Sequence, residues 1–531
     1  MRRLTTLVLC ITAASRLSAQ HEGHGPAERI GTVRFATSCD ASVSSDVNRA
    51  IALIHSFEFG LSTRAFNEIL ARDSTCAMAY WGIALNAWTN PFVPDKRSAS
   101  QLEQGRAAIA RARSLAAKAT ERERGYIDAV ALLYDDHETV DQATRVARYE
   151  QSMRALATRQ PPDTEATIFH AVAVIASAPP ADKSFANLRE AGRTLERLYA
   201  TQPNHPGLAH YIIHSYDVPP LAAKAESAAT HYAVIAPSSP HALHMPSHTF
   251  TRVGWWEQSL TANRRAVDRS IEIGSIAEAL HASDYSVYAN LQMGRDSAAA
   301  AILKTIPALE AKFDVNALGS GASGSVGVFA LAAMPARFAL ERRAWREAAE
   351  LRPRSTPFPW TDAITHFARS LGASRIGNRA VARESLDSLA MLHQRLKSGG
   401  EPYWAEQVAI QELIARAWLL LADRRTDSAL ALMREAAARE DATEKAPVTP
   451  GPLAPARELL GDMLMQIGRP REALAEYRRT IAKEPNRFRA LYGALQAARA
   501  AGDRKAAAAY AAELKTLCAK GERAECRSST T

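Results

Sequence analysis

The chain has 531 residues, a formal net charge of +9, 47% hydrophobic residues and 23% charged residues. This hydrophobic fraction is typical of a folded protein and excludes wholesale disorder, and no apolar run approaches the roughly 20 residues that a membrane-spanning helix needs. The length exceeds one ordinary core, so we expect several domains or a repeat array. Alanine, the best helix former, is abundant, which favours an all-helical fold.

The first residues have the features of a signal peptide. Residues 1–19 begin with Arg2 and Arg3, continue with a short apolar run and end with Ala19 at a plausible cleavage point. We therefore expect an exported protein, periplasmic or extracellular, whose mature chain starts with a histidine-containing tail, residues 20–42. The lysines and arginines of the mature chain are scattered among acidic residues, which argues against a nucleic-acid partner.

Four cysteines lie near the two ends of the mature chain. An even number of cysteines in an exported protein favours disulfides. A helical hairpin would bring Cys39 close to Cys76, and Cys518 would pair locally with Cys526 in a C-terminal tail, residues 518–531. The alternative is a thiolate metal site, but the sequence contains no Cys-x-x-Cys pair.

A spacing of 34 residues recurs along the chain. It separates Pro203 from Pro237, Pro206 from Pro240, His210 from His244, His214 from His248, and Gly468 from Gly502. In the clearest unit, the small residues Gly461 and Ala473 allow two helices to pack closely, Tyr477 fills the space between them, and a Gly-Arg-Pro turn joins them.

These offsets resemble the tetratricopeptide repeat (TPR) family over most of residues 43–517. The resemblance implies an all-α fold, an α-solenoid of helix-turn-helix repeats in one or two stacks. Motifs such as Cys76-Ala-Met-Ala-Tyr-Trp-Gly82 and Pro240-His-Ala-Leu-His-Met-Pro-Ser-His248 also resemble a group of exported bacterial repeat proteins. That second resemblance implies no activity.

Histidines are concentrated in the middle of the first array. Eight of the 15 lie between residues 205 and 281. The TPR resemblance implies that the second, fifth and ninth residues of each first helix face a concave groove. In this register those positions are occupied by His210, His214, His241, His244, His248, His281, Asp284 and Tyr288.

Residues four apart share one helix face at about 6 Å, so the fifth and ninth positions of a unit point the same way. Imidazole and carboxylate suit zinc, copper or iron. The candidate ligands of one such ion are His210, His214, His244, His248 and Asp284, with His241 and His281 as secondary candidates. Pro246 interrupts the helix that carries two of these histidines, and such strain tends to accompany functional sites.

Two other interpretations of the histidines stay open. A polar groove that includes Tyr288 could bind a peptide or small ligand without metal. The histidines could also be ordinary packing residues that form hydrogen bonds at helix contacts.

A Gly/Ser-rich segment, residues 313–328, separates the N-terminal array (43–312) from the C-terminal array (329–517), and we expect a flexible joint there. The C-terminal array offers a second groove of mixed charge. Its candidate residues are Glu458, Asp462, Arg489, Tyr492 and Gln496. They suit capture of a charged peptide, or equally an internal salt bridge.

The sequence favours an exported TPR scaffold that binds a protein, peptide or small ligand in its concave groove. The alternative is a metal-dependent enzyme or metal-binding protein that uses the His/Asp cluster, with a divalent transition metal as cofactor. Fold alone does not decide between them, because function depends on the site.

Overall fold

The computed structural model describes residues 28–528, which contain 26 α-helices and no strand. Within this range no helix combines the length and the apolar character that crossing a membrane requires. The signal peptide predicted at residues 1–19 and the first part of the predicted tail lie outside the described residues.

The helices of the first half are α1 (Ser44–His55), α2 (Phe59–Arg72), α3 (Ala77–Trp88), α4 (Ala99–Ser114), α5 (Glu121–Ala131), α6 (Gln142–Arg159), α7 (Thr164–Ala176), α8 (Ala186–Tyr199), α9 (Pro206–Ser215), α10 (Glu226–Ile235), α11 (Pro240–His244), α12 (Pro246–Arg252), α13 (Trp256–Glu272), α14 (Ile276–Gln292) and α15 (Asp296–Glu310). Those of the second half are α16 (Gly324–Glu341), α17 (Trp345–Ala349), α18 (Pro359–Arg375), α19 (Arg379–Ser398), α20 (Pro402–Ala422), α21 (Thr426–Ala442), α22 (Ala456–Gln466), α23 (Pro470–Lys483), α24 (Phe488–Ala501), α25 (Arg504–Leu517) and α26 (Ala524–Ser528). Short 3-10 turns occur at Ala41–Val43 and Ala222–Ala225.

The helices stack as a solenoid. Most helices pack on the next one in sequence. Alternate helices are also in contact, for example α1 with α3, α7 with α9, α16 with α18 and α22 with α24. This pattern is produced by helix-turn-helix units laid side by side, each burying an apolar face that it could not bury alone. The predicted all-α solenoid of TPR-like repeats is confirmed.

The clearest sequence repeat shows why its residues are needed. Gly468 and Gly502 both have φ of 76°, the left-handed conformation that ends a helix at low cost for glycine. The Tyr477 ring packs against Gly461 and Gly493, where an added Cβ would collide with it. Small and large residues therefore interlock as the sequence pattern predicts.

The Gly/Ser-rich segment is packed into the stack instead of forming a flexible joint. Ser320 Oγ donates to Glu58 at 2.6 Å, and the Ala322 amide donates to Glu278 at 2.8 Å. The last five residues of the predicted joint belong to α16, which packs on both α14 and α18. The small side chains here allow close approach to neighbouring helices, and the stack continues through the segment.

The four cysteines pair as expected from the sequence. Cys39 and Cys76 lie at an S–S distance of 2.02 Å, and Cys518 and Cys526 lie at 2.25 Å. The C-terminal tail docks on the turn after α14, where the Glu522 amide donates to the Gly294 carbonyl at 2.9 Å.

Candidate metal centre

Helices α9, α11, α12 and α14 bring six histidines together in the interior. They are His210, His214, His241, His244, His248 and His281, and none is more than 6% exposed. The predicted groove wall is therefore covered. Phe57 packs on His210 with ring centres 4.4 Å apart, and Phe92 packs on His214 at 4.3 Å.

The six side chains form two sets of three. In one set, the ligand atoms of His210, His214 and His241 all lie within 4.8 Å of one another. In the other set, the same holds for the ligand atoms of His244, His248 and His281. The sequence predicted one ion shared by His210, His214, His244 and His248, with His241 and His281 as secondary candidates. The structure instead puts two of the four in each set and adds one secondary candidate to each set.

Four of the histidines donate a hydrogen bond from Nδ1 to an oxygen that carries no proton. The pairs are His210 to the His55 carbonyl at 2.6 Å, His241 to Glu278 at 3.0 Å, His244 to Asn263 Oδ1 at 2.6 Å, and His248 to Asp217 at 3.0 Å. Since Nδ1 holds the proton in each neutral ring, the lone pair is on Nε2.

The free Nε2 atoms then face each other in pairs. Nε2 of His210 lies 3.2 Å from Nε2 of His241, and Nε2 of His244 lies 3.1 Å from Nε2 of His248. Two lone pairs cannot form a hydrogen bond with each other. Two nitrogens bound to one tetrahedral ion at 2.0–2.1 Å would be about 3.3 Å apart, which is close to both distances.

A proton donated between the facing nitrogens is the other arrangement that could satisfy them, and burial opposes placing that proton on His210 or His244. Burial lowers the pKa of His210 well below its usual value, and the neighbouring histidines lower it further. Burial likewise lowers the pKa of His244 to about 3. Neutral imidazole, the form that binds metal, is therefore the stable form of these two rings.

Two buried carboxylates support the imidazoles from behind. Burial alone would raise the pKa of Glu278, but the hydrogen bonds that it accepts from His241 and from the Ala322 amide lower it. Burial would also raise the pKa of Asp217, but Lys445 and Arg252 hold it well below its usual range. Carboxylate or carbonyl partners on the far nitrogen are typical of histidines that bind metal, because they fix the ring and increase its basicity.

The register inferred from the sequence misplaces two residues of α14. Asp284 forms a buried ion pair with Arg337 at 2.9 Å instead of joining the histidines, and Tyr288 receives a hydrogen bond from Arg487 at 2.9 Å. Tyr285 faces the site instead, with its hydroxyl 3.4 Å from His248 Nε2. Tyr285 follows His281 by four residues, so it shares the helix face of His281 more closely than Asp284, which follows it by three.

Pro246 breaks the helix as the sequence predicts. α11 ends at His244, and α12 begins with Pro246 as its first residue. The break leaves His244 and His248 directed at each other, so the two short helices still present a common pair of ligands.

The second predicted groove is filled by internal contacts. Glu458 pairs with Arg487 at 2.7 Å, Asp462 pairs with Arg343 at 2.6 Å, and Arg489 donates to the Glu341 carbonyl at 2.6 Å. Tyr492 stacks on Phe488, and Gln496 is partly buried. These contacts favour the internal salt-bridge interpretation of the mixed charges.

A third histidine group has the opposite hydrogen-bond polarity. His55 Nε2 and His205 Nε2 each lie 2.9 Å from a different oxygen of Glu165. Tyr211 lies 3.1 Å from the remaining nitrogen of His55. Here the Nε2 atoms that converge are the ones bonded to the carboxylate, whereas in the two sets the converging Nε2 atoms face each other, so we interpret this group as a hydrogen-bonded core network.

The sequence pattern does not identify the residues that support the histidines. Glu278, Asp217, Asn263 and Lys445 come from separate segments, and their contacts with the site are made in three dimensions. The one local signal is that Glu278 precedes His281 by three residues on α14, and so lies on a neighbouring part of the same face.

No protein-family model and no curated protein sequence matches this chain. Among solved structures, it is similar to the human IFIT1 dimer with m7Gppp-AAAA, at 10% identity and a TM-score of 0.37, covering 91% of this chain and 96% of that one. It is also similar to yeast Tom70, at 10% identity and 0.29, covering 87% and 89%, and to Naa15/Naa10 bound to HypK-THB, at 12% and 0.23, covering 88% and 69%. We draw no functional conclusion from similarities of this size.

Proposed function

We propose that this chain is a helical-repeat metalloprotein that holds two divalent transition-metal ions, each on three buried imidazoles. The observation that carries the proposal is the pair of facing Nε2 atoms in each set, 3.2 and 3.1 Å apart, with an oxygen acceptor beside Nδ1 of all four rings. An ion between them would accept an electron pair from each nitrogen, which two unprotonated nitrogens cannot do for each other.

The donors point to the class of metal and to its use. Neutral imidazole suits zinc, copper and iron. Three protein ligands leave a tetrahedral ion one open position, which is typical of sites that bind water or a substrate. This favours a catalytic or ligand-binding centre over a purely structural one.

The proposal keeps the predicted binding scaffold but narrows the class of ligand at this site. Because the histidine wall is covered by Phe57 and Phe92, the ligand at this site is a small molecule, and binding of a protein or peptide elsewhere on the solenoid stays a prediction. The absence of a nucleic-acid partner stays a prediction too. Export to an oxidising compartment is supported by the two cysteine pairs.

The test is a metal titration of protein stripped with a chelator. We expect zinc or copper to bind at two ions per chain, by calorimetry and by elemental analysis after dialysis. Three ions would assign metal to the His55 group as well and contradict our interpretation of its polarity. Fewer than 0.5 ion per chain, a value well under one bound ion, would overturn the proposal.

Gly321 offers a separate check on the first set. A Cβ at this position would overlap the His241 imidazole, whereas a Cβ on Gly319 would meet only Ser275 Oγ at 3.1 Å. We expect Gly321→Ala to displace one ligand of the first set and weaken one of the two ions by about tenfold or more, with the second ion unaffected. Gly319→Ala is the control, and equal metal binding by both variants would contradict the role of His241.

A further inference from the structure

A cavity of about 230 Å³ lies beside the first histidine set. It is bordered by the loop after α3, the end of α7 and the loop after α21, and it is open on one side. Its walls are mainly apolar and include Phe92, Val93, Ile175 and Val218. His214, one of the proposed ligands, also lines it, so the cavity reaches the metal centre from one side.

The size and walls of the cavity select a small, flat, apolar molecule. An apolar protein cavity of about 150 Å³ can hold benzene, so a cavity of this volume accommodates one ring with a small substituent. Phe92 and the prolines on both sides of the cavity offer the flat surfaces on which a ring packs well.

A lysine lies at the inner end of the cavity. Lys445 Nζ lies 3.3 Å from Asp217, which also accepts from Arg252 Nε at 2.8 Å, so two cations share one carboxylate. Two further carboxylates line the cavity, Asp182 and Glu444, and Glu444 Oε1 is paired with Lys183 at 2.8 Å. The Lys445 side chain is only 6% exposed, so an anion that meets it does so with little competition from water.

One ring nitrogen at this end lacks a partner. Among the residues that the structure describes, His214 Nε2 is buried and has no hydrogen-bond partner. It belongs to the set whose ion, on the proposed function, keeps an open position. An anionic group at this end would therefore meet both Lys445 and that ion.

We propose that the cavity binds a small cyclic monocarboxylate, with its ring among the apolar walls and its carboxylate between Lys445 and the ion held by His210, His214 and His241. The inference rests on the proposed function. It extends it by naming the ligand class and by assigning Lys445 as the residue that recognises the negative charge.

The probes are benzoate and its neutral analogue benzamide, titrated by calorimetry into wild-type protein loaded with zinc. We expect benzoate to bind at least about tenfold more tightly, because a charge-assisted hydrogen bond contributes more than a neutral one. Lys445→Met should remove that advantage and leave benzamide binding unchanged. Lys312→Met is the matched control, because it removes an exposed lysine that does not line the cavity.

Protein loaded with cobalt supplies a second readout. Benzoate should change the visible absorption of the ion in wild-type and Lys312→Met protein, as expected for a ligand at an open metal position. Equal affinity for benzoate and benzamide, or a benzoate affinity that Lys445→Met leaves intact, would overturn the inference.

Metal content is measured on the same samples and separates the two proposals. Protein that retains two ions but does not prefer benzoate contradicts the ligand class alone. Protein that binds no ion contradicts the proposed function, and this inference fails with it.

Discussion

Replacing His241 with alanine is expected to lower the bound metal from two ions per chain to one, and replacing His244 should have the same effect on the other ion. Each substitution removes one of only three protein ligands from its set, so affinity at that site should fall by orders of magnitude. The other set keeps all three histidines. The double variant should bind no metal.

The measurement is elemental analysis of the dialysed variants beside wild type. His231→Ala is the control, because this histidine is exposed and its Nδ1 lies 2.7 Å from the Ser227 carbonyl, away from both sets. Loss of both ions from each single variant would show that the six histidines act as one site. Retention of both ions would show that these residues are not ligands.

Asp284→Ala is expected to destabilise the fold and leave metal binding intact. Asp284 and Arg337 are both 0% exposed and form a salt bridge at 2.9 Å. Arg337 also donates to the carbonyls of Pro452 and Gly451, in the loop that covers this part of the solenoid. Removing one partner leaves a buried charge uncompensated, which typically costs about 3–5 kcal/mol.

Urea denaturation should show this loss in the free energy of unfolding. The double variant Asp284→Leu/Arg337→Met removes both charges and should recover much of the loss, because an apolar pair can replace a buried ion pair at little cost. A fall in metal content for Asp284→Ala at unchanged stability would restore this residue as a ligand, as the sequence register suggested.

Much of the fold follows from local pattern. Each repeat unit joins helices that are neighbours in sequence, so the spacing of Gly468 and Gly502 and the alternation of small and large residues around Tyr477 already define how a unit packs. For the same reason, the 34-residue spacing carried by His210 and His244 aligns the histidines of successive units on one side of the stack.

The all-helical solenoid, the two cysteine pairs and the convergence of the six histidines can therefore be predicted from local pattern and spacing. How those histidines divide, which nitrogens of four of them face each other, and which carboxylates support them become visible only in three dimensions. The tertiary structure also decided that Asp284 pairs with Arg337, and that the Gly/Ser segment is a packed part of the stack. The physical reason is distance along the chain. His210 meets His241 across 31 residues, and His241 meets Glu278 across 37. Contacts of this kind depend on how neighbouring units rotate against each other, which helical periodicity within one unit does not specify.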